Sequence, residues 1–329
     1  MALLVLEWAA PDRSSDGEVD LRPGWCAAPT STIGPRLEPP SLEPVESISP
    51  VNLRRWIDWL TAPEHGGRRA ATGTTPAIAD ALGRYLVAVP PGGLGLTPIF
   101  GQGPCQPFDV LGHREVNVIA TLHSGPTPTA TVLLGAHYDG QGRHPTRGPL
   151  PGADDNASGV AAVLEAARLL SHDPPRDTDV VIVLFGAEEL GLAGSRHWLD
   201  TRGEQAPPDV ALILDMVGRP LPIDDGVGFA LRAHASTDRL PELVDRASEA
   251  TTIPIEPIDR LGSKAPGDSD DTPFAEAGLD VALVTSGLHA DYHDVGDTAE
   301  AVDLDQVERA ARWLVALVRV VDSATDIDG

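Results

Sequence analysis

Residues 179–186 read Asp-Val-Val-Ile-Val-Leu-Phe-Gly, six apolar side chains in succession, with Glu188-Glu189 two residues beyond. A strand with one wet face alternates apolar and polar residues, so an unbroken run needs cover on both faces. Similar runs occur at Thr131–Ala136, Asp209–Met216 and Leu279–Thr285. Between them lie stretches at helical spacing. Asn156–Leu170 packs through Val160, Val163, Leu164 and Ala167, a further helix begins at Gly194–Leu199, and another covers Leu240–Ala250. Leu304, Val307, Ala311, Leu314, Val318 and Val321 form a closing stripe. This succession predicts an α/β fold: a single globular domain whose mixed, mostly parallel central sheet is flanked by helices on both faces.

Three local signals refine the reading. Thr75-Pro76 has the form of an N-cap and first-turn proline for a helix through Leu86. Asp303 and Gln306 occupy capping-box positions before the last helix. Val116–Leu122 and Thr131–Ala136, separated by a Gly/Pro turn, are expected to form a hairpin or neighbouring strands. Residues 1–50, aperiodic and punctuated by Pro35, Pro39, Pro40, Pro44 and Pro50, read as an extended, partly disordered leader. The folded domain is expected over 51–322, with a polar tail at 323–329.

The formal charge of −25, from 24 basic and 49 acidic residues, would repel nucleic acid and anionic membranes. No run of 18 apolar residues is present, so no membrane span is expected. Met1–Ala10 is apolar but short and lacks a basic flank, a poor match to a signal peptide. Two cysteines, Cys26 and Cys105, allow one disulfide or two free thiols, and neither CxxC nor HExxH occurs.

Five segments carry metal-binding side chains, three of them at or near strand ends. His137-Tyr-Asp139 follows an apolar strand; the histidine can ligate through one ring nitrogen while Asp139 holds the other. A buried histidine satisfied by an aspartate is the plainer alternative. In Pro151-Gly-Ala-Asp-Asp-Asn-Ala-Ser-Gly159 two adjacent carboxylates repel unless a cation neutralises them, or the segment simply starts a helix. Glu188 and Glu189 cannot both belong to the core; one can ligate while the other handles a proton. Asp215 interrupts an apolar run, where an unpaired carboxylate is costly. His293 lies in the polar stretch Ala290–Thr298. His137, Glu188, Glu189 and Asp215 all fall at the carboxyl ends of predicted strands, where open α/β sheets bind ligands. Two imidazoles with at least three carboxylates exceed the needs of one zinc ion and suit a pair.

In order and local sequence the segments resemble the di-zinc exopeptidases that include aminopeptidase Y and the bacterial leucine aminopeptidases. The resemblance extends over about 51–322 and includes Leu60-Thr-Ala-Pro-Glu-His-Gly-Gly-Arg68 after the opening helix. It implies that His137 and Asp215 bind a first zinc, Glu189 and His293 a second, and that Asp155 bridges both. Asp139 would orient His137, Asp154 would be a neighbour, and a cis peptide often follows the bridging aspartate, here Asp155–Asn156. Two Zn2+ ions about 3.5–4 Å apart would hold a water, with Glu188 as general base, for hydrolysis of the N-terminal peptide bond. Partners would be peptides with a free N-terminus, with a monomer slightly favoured. The resemblance suggests export, while the start of the chain does not show how.

One segment departs from the family. Where Ser-Asp-His-x-x-Phe is common, this chain has Ser269-Asp270-Asp271-Thr-Pro-Phe274. The segment is expected to border the substrate pocket rather than the metals, with Asp271 meeting a cationic group or joining the acidic surface. A dipeptidase or carboxypeptidase with the same centre is the main alternative. A single-zinc glutaminyl cyclase and a non-catalytic binding module stand further off.

Overall fold

The computed structural model describes residues 26, 37–43, 46–90, 92–99, 103–202, 206–223 and 226–324. Helices α1 (Pro50–Leu60) and α2 (Thr75–Val87) lead to strands β1 (Thr97–Pro98), β2 (Cys105–Val110), β3 (His113–Leu122) and β4 (Ala130–His137). A small hairpin, β5 (Arg143–His144) with β6 (Gly148–Pro149), precedes α3 (Gly159–His172). Then come β7 (Thr178–Phe185), α4 (Ala193–Thr201), β8 (Val210–Leu214), β9 (Leu221–Ile223) and β10 (Gly226–His234). The chain continues through α5 (Arg239–Thr251), β11 (Ile255–Pro257), α6 (Asp271–Glu276), β12 (Val281–Thr285) and α7 (Leu304–Ala324).

One sheet runs in the order β1-β3-β7-β4-β8-β12-β10-β11, with β2 on β3 and β9 on β10. Its centre, β7-β4-β8-β12, is parallel; β3 and β10 join it antiparallel on either side. The mixed sheet matches the expectation, its parallel part being these four apolar strands. The expected β3–β4 neighbourhood is not formed, because β7 lies between them and pairs with both. β7 pairs its backbone with β3 along one edge and with β4 along the other, and a turn signal in sequence carries no information about a strand inserted later in the chain.

The apolar runs serve two cores at once. Val132, Leu134 and Ala136 of β4 with Val180, Ile182 and Leu184 of β7 face the larger core, shared with α1, α2, α3, α5 and α7. Leu133, Val183, Phe185, Ala211 and Ile213 face the other way, against Trp198 of α4 and Phe274 of α6. Period-two alternation is therefore present, but it sorts side chains between two dry faces.

Two caps differ from expectation. The helix begins at Thr75, and the Thr75 hydroxyl donates to Glu115 Oε2 (2.7 Å) instead of capping. Asp303 Oδ1 does accept from the N–H groups of Asp305 and Gln306 (2.9 and 3.3 Å), but Gln306 turns inward to donate to the Gly228 carbonyl (2.7 Å). Part of the presumed leader packs on the domain. Arg84 meets Glu38 and the Leu37 carbonyl, Ser49 N–H donates to buried Glu165 (2.8 Å), and Ile48 is buried. The rest of that reading lies mostly outside the described residues. Cys26 and Cys105 form a disulfide with Cα atoms 5.3 Å apart. Among the described residues no helix is long and apolar enough to cross a membrane.

Candidate metal centre

Parallel pairing brings three of the five segments together. β4 ends at His137, which lies in register with Phe185 at the end of β7, so Glu188 and Glu189 emerge beside it. β8 ends at Leu214 on the other side of β4, placing Asp215 next. Asp155 comes from the turn that opens into α3, and His293 from the loop after β12. All five converge at the carboxyl edge of the sheet, where strands stop and backbone gives way to side chains.

Two groups of three ligand-type side chains result: His137, Asp155 and Asp215, and Asp155, Glu189 and His293. His137 Nε2 lies 3.4 Å from Asp155 Oδ1 and 3.5 Å from Asp215 Oδ1. His293 Nε2 lies 3.0 Å from Asp155 Oδ2 and 3.7 Å from Glu189 Oε2. The two oxygens of Asp155 thus face different triads. Asp215 Oδ1 and Glu189 Oε1 are buried without a hydrogen-bond partner, a costly state that a cation would relieve. Imidazole with carboxylate is a donor set suited to zinc, and each triad fits one divalent ion.

The surroundings fix these groups. Asp297 accepts from the backbone N–H groups of Asp154 (2.9 Å) and Asp155 (3.0 Å), holding the turn that presents Asp155. The Asp155–Asn156 peptide is cis. Asp154 belongs to neither triad: its Oδ1 accepts from Ser158 Oγ (3.0 Å) and Gly218 N–H (2.6 Å), and its Oδ2 faces His289 at 3.3 Å. Asp139 accepts from the N–H groups of Glu188 (3.0 Å) and Glu189 (3.3 Å). It stands 3.7 Å from His137 Nδ1, beyond hydrogen-bond reach, so its formed bonds hold the Glu188–Glu189 turn rather than the imidazole. Glu188 is half-buried and joins neither triad.

Without cations, protons carry the positive charge. Burial lowers His137, but Glu188, Asp139, Asp155 and Asp215 outweigh it and raise the imidazole well above its ordinary value. His293 is likewise raised, burial being outweighed by Asp155 and Glu189. Burial raises Asp155, yet the two histidines hold it below the usual carboxylate range. Glu189 is pushed up to about 8 by burial and then by Asp155, and Glu188 is raised well above normal, chiefly by burial.

The Ser269–Phe274 departure resolves differently from the sequence expectation. Ser269 Oγ donates to Asp215 Oδ2 (2.7 Å), so this segment touches the first triad directly. Asp270 is fully buried, and burial pushes its carboxyl up to about 7. Asp271 does not join the acidic surface: it is buried and paired bidentately with Arg232, at 2.8 Å to both Nε and Nη2. A partner on β10, a strand the sequence patterning did not reveal, supplies the charge.

Four contributors were missed in sequence: Asp297, Gln141, Tyr292 and, as a positioning group, Arg68. Tyr292 stacks on the His293 ring, centroids 3.7 Å apart. The fully buried Arg68 guanidinium donates to the carbonyls of Tyr138 (2.9 Å), Leu60 (3.0 Å), Pro151 (2.7 Å) and Gly152 (2.8 Å). It thereby ties the exit of β4 to the approach of the Asp155 turn. The polar run around His293 was a signal for Asp297; for Arg68 the signal was its place at the end of the Leu60–Arg68 segment that shares in the family resemblance.

Comparison with known proteins gives the family. The model for peptidase family M28 matches residues 117–318. The chain belongs to peptidase family M28. Aminopeptidase YwaD of Bacillus subtilis (strain 168) is 32% identical over 198 residues, covering 57% of this chain and 40% of that protein. Among solved structures, BSAP, a zinc aminopeptidase from Bacillus subtilis, aligns with a TM-score of 0.52 at 28% identity, over 63% of this chain and 50% of that one. LapB from Legionella pneumophila aligns with a TM-score of 0.66 at 19% identity over 84% of this chain and 73% of that one, a likeness of fold. The chain spans about two fifths of the length of YwaD. The M28 assignment bears out the resemblance read from the ordered motifs.

Proposed function

We propose that this M28 member is an aminopeptidase that uses two zinc ions. The observation carrying the reading is the pair of triads that share Asp155, with Glu188 beside them and in neither. His137, Asp155 and Asp215 would hold one ion, and Asp155, Glu189 and His293 the other. When bound, such ions polarise a carbonyl and acidify a water.

The chain's own residues supply the rest. Glu188 takes a proton from the attacking water and returns it to the leaving amine. Burial raises its carboxyl, and Asp270, Asp215 and Glu189 reinforce the rise against His137, so it can hold a proton between the two steps. Asp139 keeps the Glu188–Glu189 turn in place through two backbone N–H groups. Ser269 and Asp297 fix Asp215 and the Asp155 turn. The carboxylate-rich surroundings favour a substrate that brings a positive α-ammonium group.

Aminoacyl-amides and N-blocked peptides, each assayed with chelator and with zinc restored, test the reading. Zinc-dependent cleavage of free-amine substrates alone is expected, and cleavage of blocked substrates alone would overturn it. Glu188→Gln should lower kcat by about 10²–10⁴-fold while both ions stay bound. Full activity in that variant would remove Glu188 from the role.

A further inference from the structure

The side chain of Gln141 reaches two of the side chains of the second triad. Its Nε2 meets Glu189 Oε2 and lies 3.2 Å from His293 Nε2, two of the three ligand atoms of the second triad. His293 Nε2 is also 3.0 Å from Asp155 Oδ2. If that nitrogen carries its proton toward Asp155, the amide NH2 faces another donor. A half-turn of the amide exchanges its N and O, and the oxygen then faces the Glu189 carboxylate, another acceptor. With Glu189 ionised, as a metal ligand must be, either orientation leaves one mismatched contact. A cation removes the mismatch, because the amide oxygen, the carboxylate and the imidazole lone pair can all point at it.

The backbone under Gln141 is built to hold it there. Gly140 N–H donates to the Arg68 carbonyl and Gly142 N–H to the Gly67 carbonyl, both at 3.0 Å, and the Gln141 carbonyl accepts from Arg69 Nη1 (2.9 Å). A Cβ on Gly67 would stand 1.9 Å from the Gly142 oxygen, so this approach requires glycine. Arg147, in the β5–β6 hairpin that follows, pairs with Asp294 through both nitrogens (2.8 and 2.7 Å), tying the hairpin to the loop that carries His293. Gln141 is therefore fixed against the second triad from both sides.

We propose that Gln141 is an additional ligand of the second metal ion, contributing its carboxamide oxygen beside Asp155, Glu189 and His293. The inference rests on the two-zinc reading. It assigns the second ion a neutral, weakly held oxygen that the first ion lacks, and so a more readily adjusted affinity.

Calorimetric titration of zinc into chelator-stripped full chain tests it, with His293→Ala identifying which constant belongs to the second site. Gln141→Leu should weaken that constant by about tenfold or more and leave the first unchanged. Gln141→Glu should restore or tighten it. In the cobalt-substituted protein, Gln141→Leu should alter the visible absorption of the second ion. Two ions bound with both constants unchanged in Gln141→Leu would overturn the role of Gln141 alone, as would a tighter second site. One ion bound by the wild-type chain would overturn the two-zinc reading, and this role with it.

Discussion

Replacing Arg68 by methionine is the sharpest test of how the centre is held. The guanidinium is fully buried and gives four hydrogen bonds to four carbonyls. Hydrogen bonds to a charged group contribute about 1.5–3 kcal/mol each, which would sum to roughly twice the effect expected. Against that sum stands the desolvation of the guanidinium, several kcal/mol that the variant no longer bears. Methionine refills much of the volume, so the carbonyls left without donors dominate, and the net loss should be about 3–5 kcal/mol. Lysine, with three donors on one nitrogen, cannot reach all four acceptors and should recover only part. Urea unfolding of the metal-free protein, followed by tryptophan fluorescence, measures the difference. A loss below about 1 kcal/mol would mean the carbonyls find other donors and that Arg68 does not brace the turn.

Other outcomes follow from the same geometry. Glu189 (about 8), Asp270 (about 7) and Asp297 (about 6) are raised by burial, and His137 and His293 by facing carboxylates. The metal-free native state thus holds more protons than the unfolded chain from about pH 4 to 8, and its stability should fall as pH rises through that window. Zinc should displace those protons, so its stabilisation should be larger at pH 8 than at pH 5 by thermal melts; metal-free stability that rises across the window would contradict this. Arg232→Met strands the buried Asp271 carboxylate and should cost about 3 kcal/mol without changing zinc stoichiometry, measured by denaturation and metal analysis. The Cys26–Cys105 disulfide spans 79 residues, so Cys26→Ser should lower stability by about 4 kcal/mol on the chain-entropy account; an unchanged urea midpoint would argue against it.

The sequence by itself determined the parallel centre of the sheet and pointed to the candidate ligand side chains that gather at its edge. Unbroken apolar runs at 132–136, 180–185 and 210–214 can only be satisfied between two layers, and polar residues ending such runs must emerge at one edge. The tertiary structure alone decided which strands adjoin. It inserted β7 between β3 and β4 and brought Arg232 of β10 to Asp271 across a long stretch of chain. It also recruited Arg68, Gln141 and Asp297, whose partners are largely backbone groups or neighbours far along the chain. Periodicity and ligand chemistry act over a few residues and can be read locally. Charge pairing and backbone bracing depend on which distant segments meet, and only packing of the two cores settles that.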